Sequence, residues 1–140
     1  MFTALDISTS ALVAQRVRLN TIAGNIANLN TQRNENGDME PYQARYVVFQ
    51  TDPARQTGDG AAGVRVSEVR TEKIDPIYKY EPASPLAIQE GPRKGYVAYP
   101  NINMINEFVD AMNASRAYEA NIGVMEVTKN LGAQALRILA

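Results

Sequence analysis

Positions near the two ends of the chain repeat with a seven-residue period. In the C-terminal third, the two interleaved sets are Phe108, Ser115, Ile122, Lys129 and Leu136, and Ala111, Tyr118, Met125, Gly132 and Leu139. Near the N-terminus, the matching sets are Leu5, Leu12, Leu19 and Ile26, and Ser8, Gln15, Ile22 and Leu29. This is the a/d spacing of helices that pack lengthwise against one another. The pattern predicts long helices over residues 1–33 and 103–140, paired antiparallel as a coiled coil.

The segment between these helices has the composition of turns and short strands. It contains all seven prolines and six of the nine glycines of the chain, and both residue types interrupt helices. Apolar residues in short runs predict strands over residues 42–49, 64–69 and 77–80. Residues 51–62 carry almost no large apolar side chain, which predicts a mobile loop. The expected fold class is mainly α, with a small β-rich and loop-rich insert over residues 34–102.

Both terminal segments carry few charged side chains. These are Asp6, Arg16 and Arg18 in residues 2–29, and Glu126, Lys129 and Arg137 in residues 122–140. An ordinary soluble helical hairpin has the same heptad spacing, but it needs a charged and solvated outer face. No segment reaches the roughly 18 uninterrupted apolar residues of a membrane span, and a chain of 140 residues cannot form a large core. We therefore expect the helices to be buried against copies or partners, without insertion into lipid.

The composition argues against several binding and catalytic classes. A net charge of −1 and a pI of about 5.5 do not favour nucleic acid, whose phosphates require clustered basic residues. Because His and Cys are absent, the commonest zinc sites and the Ser-His-Asp and Cys-His nucleophiles are excluded. Residues 58–63 match Gly-x-Gly-x-x-Gly, but they lack the preceding strand and following helix that hold a dinucleotide. We expect no catalytic residue, no metal and no cofactor.

The expected assembly interface combines apolar heptad positions with side-chain amides. Buried amides fix the register between neighbouring helices, as single polar a positions do in coiled coils. Asn25, Asn28 and Asn121 are the candidate amides. The complete set of interface candidates is Leu5, Leu12, Leu19, Asn25, Ile26, Asn28, Phe108, Met112, Tyr118, Asn121, Ile122, Met125, Leu136 and Leu139.

Several segments of the chain resemble flagellar basal-body rod proteins. Residues 6–20 (DISTSALVAQRVRLN) and 23–31 (AGNIANLNT) are similar to the N-terminal signature of that family. Further similarities, above all to its proximal-rod members, occur at residues 42–50, 63–66, 95–97, 99–103, 107–109 and 114–121. The similarity covers nearly the whole chain. It departs at residues 82–85, Pro-Ala-Ser-Pro, where family members often read Pro-Gly-His-Pro.

The resemblance implies a structural subunit of the proximal rod, which is the periplasm-spanning drive shaft and export channel of the flagellum. Such subunits assemble helically through both terminal segments. The implied partners are copies of the chain, other rod subunits, the adaptor that joins the rod to the membrane (MS) ring, that ring itself and the surrounding rings. The family also implies export without a cleaved signal peptide, which agrees with an N-terminus that has no basic and apolar leader.

Two other functional classes remain open from the residues alone. One is a helical interaction module or export chaperone in the cytoplasm, which would share the helical ends. The other is a periplasmic hydrolase that depends on carboxylates alone. Glu35, Asp38 and Glu40 lie close in sequence, but in an expected exposed turn, where a paired-acid mechanism lacks the two separated environments that it needs.

Overall fold

The chain folds as two long terminal helices with a small antiparallel-strand segment between them. The computed structural model describes the backbone of residues 2–139 and the side chains of residues 3–138. In chain order, the elements are α1 (Phe2–Ala27), β1 (Arg45–Gln56), β2 (Ala62–Thr71), β3 (Ile77–Tyr80), β4 (Tyr96–Tyr99) and α2 (Met104–Leu139). The predicted fold class, terminal helices with a β-rich middle, is confirmed at this level.

Asparagine side chains mark the inner ends of both helices. The Asn28 amide donates to the Gly24 carbonyl at 2.8 Å, and such local bonds compete with the helix. α1 therefore ends before the predicted boundary at residue 33. At the start of α2, Asn103 Oδ1 accepts a hydrogen bond from the Ile105 N–H at 2.9 Å, as the side chain of an N-cap residue does.

β1 and β2 pair as one long antiparallel hairpin, which packs against α1. We expected a loop over residues 51–62, but residues 51–56 continue β1 as a strand. The turn is confined to residues 57–61, where Gly60 has a φ of 86°, a conformation that favours glycine. The loop prediction is therefore wrong for the first half of that range.

An irregularity in the strand pairing explains why the loop prediction failed. The pairing of β1 with β2 shifts register between Asp52 and Gln56, and Pro53 lies inside that interval. Proline has no N–H to donate to a ladder, so strands tolerate it at edges and irregularities. Pro53 thus lies at a point where the strand pairing is irregular and needs no N–H donor.

β3 and β4 form a second, separate two-stranded antiparallel sheet. The Val97 side chain is fully buried beneath it. The Ile88 N–H donates to the Tyr96 carbonyl, and the Gly95 N–H donates to the Ile88 carbonyl, both at 2.9 Å. The irregular segment that precedes β4 is therefore folded back onto this sheet.

α1 is the element that joins the parts, because it packs against both α2 and the β1–β2 hairpin. Its most buried apolar side chains are Ala14 and Ile22, and α2 contributes the fully buried Ala114. Among the described residues, most buried side chains are small ones. The chain by itself therefore buries little large apolar surface.

Candidate assembly interface

Two side-chain contacts fix the direction in which α1 and α2 pack. Asn25 Nδ2 donates to Glu107 Oε2 at 3.1 Å, and Arg18 forms an ion pair with Asp110 at 3.3 Å. From the first contact to the second, the residue number decreases in α1, from 25 to 18, and increases in α2, from 107 to 110. The two helices are therefore antiparallel.

One of the two predicted heptad sets of α2 lies on its less exposed face. The other set is displaced from that face by one residue. The predicted set Ala111, Tyr118, Met125 and Gly132 is buried or half-buried. The other predicted set, which begins at Phe108, is more exposed. Its place is taken by residues one position earlier, namely Glu107, Ala114, Asn121, Thr128 and Ala135.

Side-chain size explains why Ala114 lies on the less exposed face of α2 and Phe108 does not. Ala114 is 0% exposed, whereas the much larger Phe108 is 51% exposed. Small residues allow the backbones of two helices to approach closely, and a seven-residue period does not distinguish a position from its neighbour. The less exposed face of α2 therefore contains mostly small and polar residues, together with the larger Tyr118 and Met125.

Large apolar side chains lie outside this less exposed face of α2, in two stripes. The N-terminal stripe consists of Ile105, Phe108, Val109 and Met112, at the i, i+3, i+4, i+7 spacing of one helix face. The C-terminal stripe consists of Val124, Val127, Leu131 and Ile138. Every member is exposed, up to 84% for Ile138. Exposed apolar patches of this kind mark interaction surfaces.

The predicted interface residues fall into three groups by exposure. The exposed ones are Phe108, Met112, Ile122 and Leu136. The half-buried ones are Leu5, Leu12, Leu19, Ile26, Asn28, Tyr118, Asn121 and Met125. Asn25 is buried, and the side chain of Leu139 lies outside the described residues.

The list of interface candidates omits six members of the two stripes, namely Ile105, Val109, Val124, Val127, Leu131 and Ile138. The four that lie within residues 122–140 belong to the apolar circumference for which the sequence predicts burial against copies or partners. A usable signal was present, because residues 122–140 are apolar around most of the helix circumference. A single a/d seam covers only one side of a helix, so the remaining apolar positions require a second contact surface.

The candidate amides form their hydrogen bonds within the chain. Asn28 Nδ2 donates to the Gly24 carbonyl, and Asn121 Nδ2 donates to the Ala117 carbonyl, each at 2.8 Å. Asn25 is only 2% exposed and bonds to Glu107 and to residues of the middle segment. Their observed bonds stabilise the fold of the single chain, whereas we expected contacts between neighbours.

The chain has more surface than its mass predicts. Its accessible surface is 9757 Å², whereas a compact monomer of 15.4 kDa has roughly 7,200 Å². The excess of roughly 2,600 Å² lies in the range that permanent protein–protein interfaces bury. The exposed stripes are part of this large uncovered surface.

α2 also extends past α1. α1 has 26 residues and α2 has 36, and the Asn25–Glu107 contact places the end of α1 beside the start of α2. By length, about ten residues of α2, roughly 15 Å of helix, extend past the start of α1, although Gly132 within them is still buried. Leu131 and Ile138 lie in this projecting part.

Membrane, metal and charge features add little to the site. Within residues 2–139, neither helix combines the length and the apolar character required to cross a bilayer, and no group of three or more metal-ligating side chains converges. On β2, a hydrogen bond from Arg70 to Glu68 at 2.6 Å raises the pKa of the Arg70 guanidinium. That pair is exposed and belongs to the solvated surface of the hairpin.

Two family models match the terminal segments of the chain. The model described as "Flagella basal body rod protein" matches residues 5–33. The model described as "Flagellar basal body rod FlgEFG protein C-terminal" matches residues 93–138. These two ranges contain most of α1 and nearly all of α2, and therefore both predicted assembly helices.

Curated relatives match the chain over nearly its full length. The flagellar basal-body rod protein FlgC of Borreliella burgdorferi is 36% identical, over 99% of this chain and 97% of that protein. FlgC of Salmonella typhimurium is 40% identical, over 95% and 93% of the two chains. FlgC of Bacillus subtilis is 36% identical, over 98% and 97%. With this identity and coverage, the chain belongs to the FlgC family of flagellar basal-body rod proteins.

Proposed function

We propose that this structural subunit of the flagellar basal-body rod is held in place through both faces of its terminal helix pair. α1 and α2 form an antiparallel coiled coil, and neighbouring subunits bury the outer face of α2 in the assembled rod. The support is an inverted distribution of side chains. On α2, small and polar residues occupy much of the less exposed face, and most of the large apolar residues are exposed.

The two exposed stripes on α2 are the observation that carries this proposal. Fully burying a Val, Leu, Ile, Phe or Met side chain stabilises by about 1.5–3 kcal/mol relative to leaving it in water. The stripes contain eight such side chains, all exposed. This free energy is gained when a neighbouring subunit covers the stripes, and it is not gained in the isolated chain. Burial of the stripes therefore favours assembly.

The coiled-coil part of the proposal is supported by the spacing of the less exposed positions on α2. Glu107, Ala111, Ala114, Tyr118 and Asn121 alternate four and three residues apart, which is the heptad pattern of a helix that stays in contact with a partner over several turns. Half-buried Leu5, Leu12 and Leu19 supply a matching period on α1.

Location and partners follow from the family and are part of the proposal. The subunit lies in the proximal, periplasm-spanning rod and forms part of the drive shaft and export channel. It contacts copies of itself, other rod subunits, and the adaptor and MS ring at the membrane, with the outer rings around it. It is exported without cleavage of a signal peptide, is not inserted in lipid and binds no nucleic acid.

We also propose that the role is mechanical and not catalytic. The sequence-proximal carboxylates Glu35, Asp38 and Glu40 are all exposed, in a turn around Gly37 with a φ of 85°. A paired-acid mechanism requires two carboxyl groups in separated environments beside a bound substrate, and these three share one solvated turn.

The proposal is tested by placing a charge on each stripe of α2. We expect Phe108→Asp and Val127→Asp each to abolish swimming and remove the chain from purified basal bodies, because each buries an unpaired carboxylate at a subunit contact. The isolated variants should keep the circular dichroism spectrum of the parent, because both side chains are exposed within the chain.

The matched control is Asn113→Asp, which adds the same charge at an exposed polar position of the same helix. It should assemble and swim normally. Normal swimming and normal incorporation of both stripe variants would contradict the proposal. So would fractionation that finds the parent chain only in the cytoplasm, which would favour a helical export chaperone.

A further inference from the structure

We propose that Asn36 is a site of spontaneous covalent modification, at which the side-chain amide is lost and the chain acquires a new carboxylate. The nucleophile is the main-chain nitrogen of Gly37, and the co-reactant is water. Asn36 is the asparagine that a glycine follows in this sequence, whereas each of the others precedes a residue with a side chain. The site lies in the turn between α1 and β1, so it is independent of the contacts proposed for α2.

The modification consists of two balanced steps. The Gly37 nitrogen attacks Cγ of Asn36 and forms a new C–N bond, the bond from Cγ to the amide nitrogen breaks, and ammonia leaves with the proton of the Gly37 N–H. The product is a cyclic imide. Water then adds to either carbonyl of the imide and opens the ring. This step leaves aspartate at position 36, or isoaspartate, in which the main chain runs through the former side chain.

The surroundings of Gly37 leave the attack unobstructed. A Cβ built on Gly37 would meet no atom within 4 Å, and glycine can rotate through more main-chain conformations than any other residue. Asn36 and Gly37 are both exposed, so water also reaches the imide. The attacking nitrogen, the amide and the water can therefore meet without displacing another part of the fold.

The side-chain hydrogen bonds of this turn hold Asn34 and leave Asn36 unrestrained. Asn34 Oδ1 accepts from the N–H groups of Asn36 and Asp38 at 3.0 and 2.9 Å. Asn34 Nδ2 donates to the carboxylates of Asp38 and Glu40 at 3.3 and 3.2 Å. Within the described part of the chain, none of these bonds uses the Asn36 amide. That amide can therefore turn toward the following nitrogen, whereas the Asn34 amide is held in place.

One hydrogen bond restrains the nucleophile. The Gly37 N–H donates to the Asn34 carbonyl at 3.0 Å, and this bond has to open before the nitrogen attacks. Residues 35–40 are all exposed, and segments with few packed side chains open locally at a small free-energy cost. The bond therefore slows the reaction relative to an unfolded chain but does not prevent it.

A second turn, at residues 57–61, provides an internal comparison. Gly60 in this turn has a φ of 86°, close to the 85° of Gly37, and its N–H likewise donates to the carbonyl three residues before it at 3.0 Å. Asp59 occupies the place of Asn36. It can form the same imide, but a carboxylate loses its oxygen less readily than an amide loses ammonia. Isoaspartate should therefore form more slowly at position 59 than at position 36.

The product changes the charge and the backbone of the turn. Glu35, Asp38 and Glu40 are exposed carboxylates in the same segment, and a further carboxylate at position 36 is repelled by them. Isoaspartate also lengthens the main chain by one atom, which is incompatible with the present bonds to Asn34. The modified chain is thus more acidic and has a more open turn.

Mass spectrometry of the folded full-length chain tests the proposal. The chain is incubated at mildly alkaline pH, which deprotonates more of the attacking nitrogen, and is then digested briefly with trypsin. Cleavage after Arg33 and Arg45 yields one peptide that contains both Asn34 and Asn36. We expect progressive loss of the amide at Asn36, with aspartate and isoaspartate in its place, while Asn34 stays intact. An isoaspartate-specific methyltransferase distinguishes the two products.

Two controls make the result decisive. Asn36→Gln keeps an amide but moves its carbonyl carbon one atom farther along the side chain, so this variant should not form the acidic species. A sample unfolded in guanidinium chloride gives the rate without the turn. Loss of the Asn36 amide in the unfolded sample but not in the folded one overturns the proposal. Equal loss at Asn34 and Asn36, or isoaspartate at position 59 that accumulates as fast as at position 36, also overturns it.

Discussion

The side-chain amide of Asn25 forms two hydrogen bonds with the backbone of Arg45. Nδ2 donates to the Arg45 carbonyl at 2.8 Å, and the Arg45 N–H donates to Oδ1 at 2.9 Å. Nδ2 also donates to Glu107, and Oδ1 also accepts from the Tyr42 hydroxyl at 3.1 Å. One buried side chain thus joins α1 to α2 and to the start of β1, so the insert is anchored to the helix pair at this point.

Asn25→Asp should destabilise the isolated chain strongly. It removes both N–H donors and places a carboxylate beside the Arg45 carbonyl and the Glu107 carboxylate. We expect the free energy of unfolding to fall by about 3 kcal/mol, the cost of leaving buried polar partners unsatisfied. Urea denaturation measures this, with Asn20→Asp at an exposed position of α1 as the control. Equal denaturation midpoints for the two variants would show that Asn25 is not an anchor.

A second anchor holds the other end of the hairpin. Ser10 Oγ accepts a hydrogen bond from the Val64 N–H at 3.0 Å, and a Cβ on Gly63 would lie 2.9 Å from that oxygen and 3.1 Å from Arg55 Cβ. Gly63→Ala should therefore push the hairpin away from α1.

The expected cost of Gly63→Ala is about 1–3 kcal/mol of unfolding free energy, typical of overpacking a close contact. Amide hydrogen exchange at Val64 should become faster, because its acceptor moves away. Gly58→Ala is the control, since an added Cβ there meets no atom within 4 Å. If Gly63→Ala and Gly58→Ala have the same stability, the hairpin does not depend on this close approach.

The sequence was sufficient to predict the helices but not the direction in which their faces point. Proline-free segments with a seven-residue period correctly predicted α1 and α2. That period fits Glu107 and Phe108 equally well, so the inward face of α2 could not be chosen from spacing. Hydropathy favoured Phe108, but Glu107 is the less exposed of the two in the structure, and Phe108 belongs to the exposed N-terminal stripe.

The role of Asn25 could not be derived from the sequence. Its backbone partner, Arg45, lies 20 residues away and its carboxylate partner, Glu107, lies 82 residues away. Local patterns carry no information about contacts at such separations. The sequence marked Asn25 as a polar residue on an otherwise apolar helix, which indicates a specific bond but not the element that supplies it.

Substitutions on the two faces of α2 should have opposite effects. Ala114→Leu overfills the fully buried contact with α1 and should lower the free energy of unfolding by about 1–3 kcal/mol. Ile105→Ala, at a residue 72% exposed, should change it by less than about 0.5 kcal/mol. Ile105→Ala should nevertheless reduce swimming, because it leaves the fold intact and weakens the subunit contact. Destabilisation of the isolated chain by Ile105→Ala would contradict this assignment.

The Arg18–Asp110 ion pair should contribute little to stability. The two side chains are 34% and 51% exposed, so water and salt screen their attraction. A double-mutant cycle with Arg18→Ala and Asp110→Ala should give a coupling energy of about 0.5 kcal/mol that decreases at higher ionic strength. A coupling energy several times larger, or one insensitive to salt, would assign this pair a structural role that its exposure does not support.

Amide hydrogen exchange along α2 should differ between the isolated chain and the rod. In the isolated chain, most of residues 131–138 are exposed at the end of α2, so we expect them to exchange much faster than residues 107–121, which include the fully buried Ala114. In purified basal bodies, neighbouring subunits cover the projecting part, and its protection should rise to that of the rest of the helix. Residues 107–121 provide the internal control, because their partner α1 is present in both states. If residues 131–138 are as protected in the isolated chain as in the rod, their stability comes from the chain itself, and the subunit contact assigned to them would be wrong.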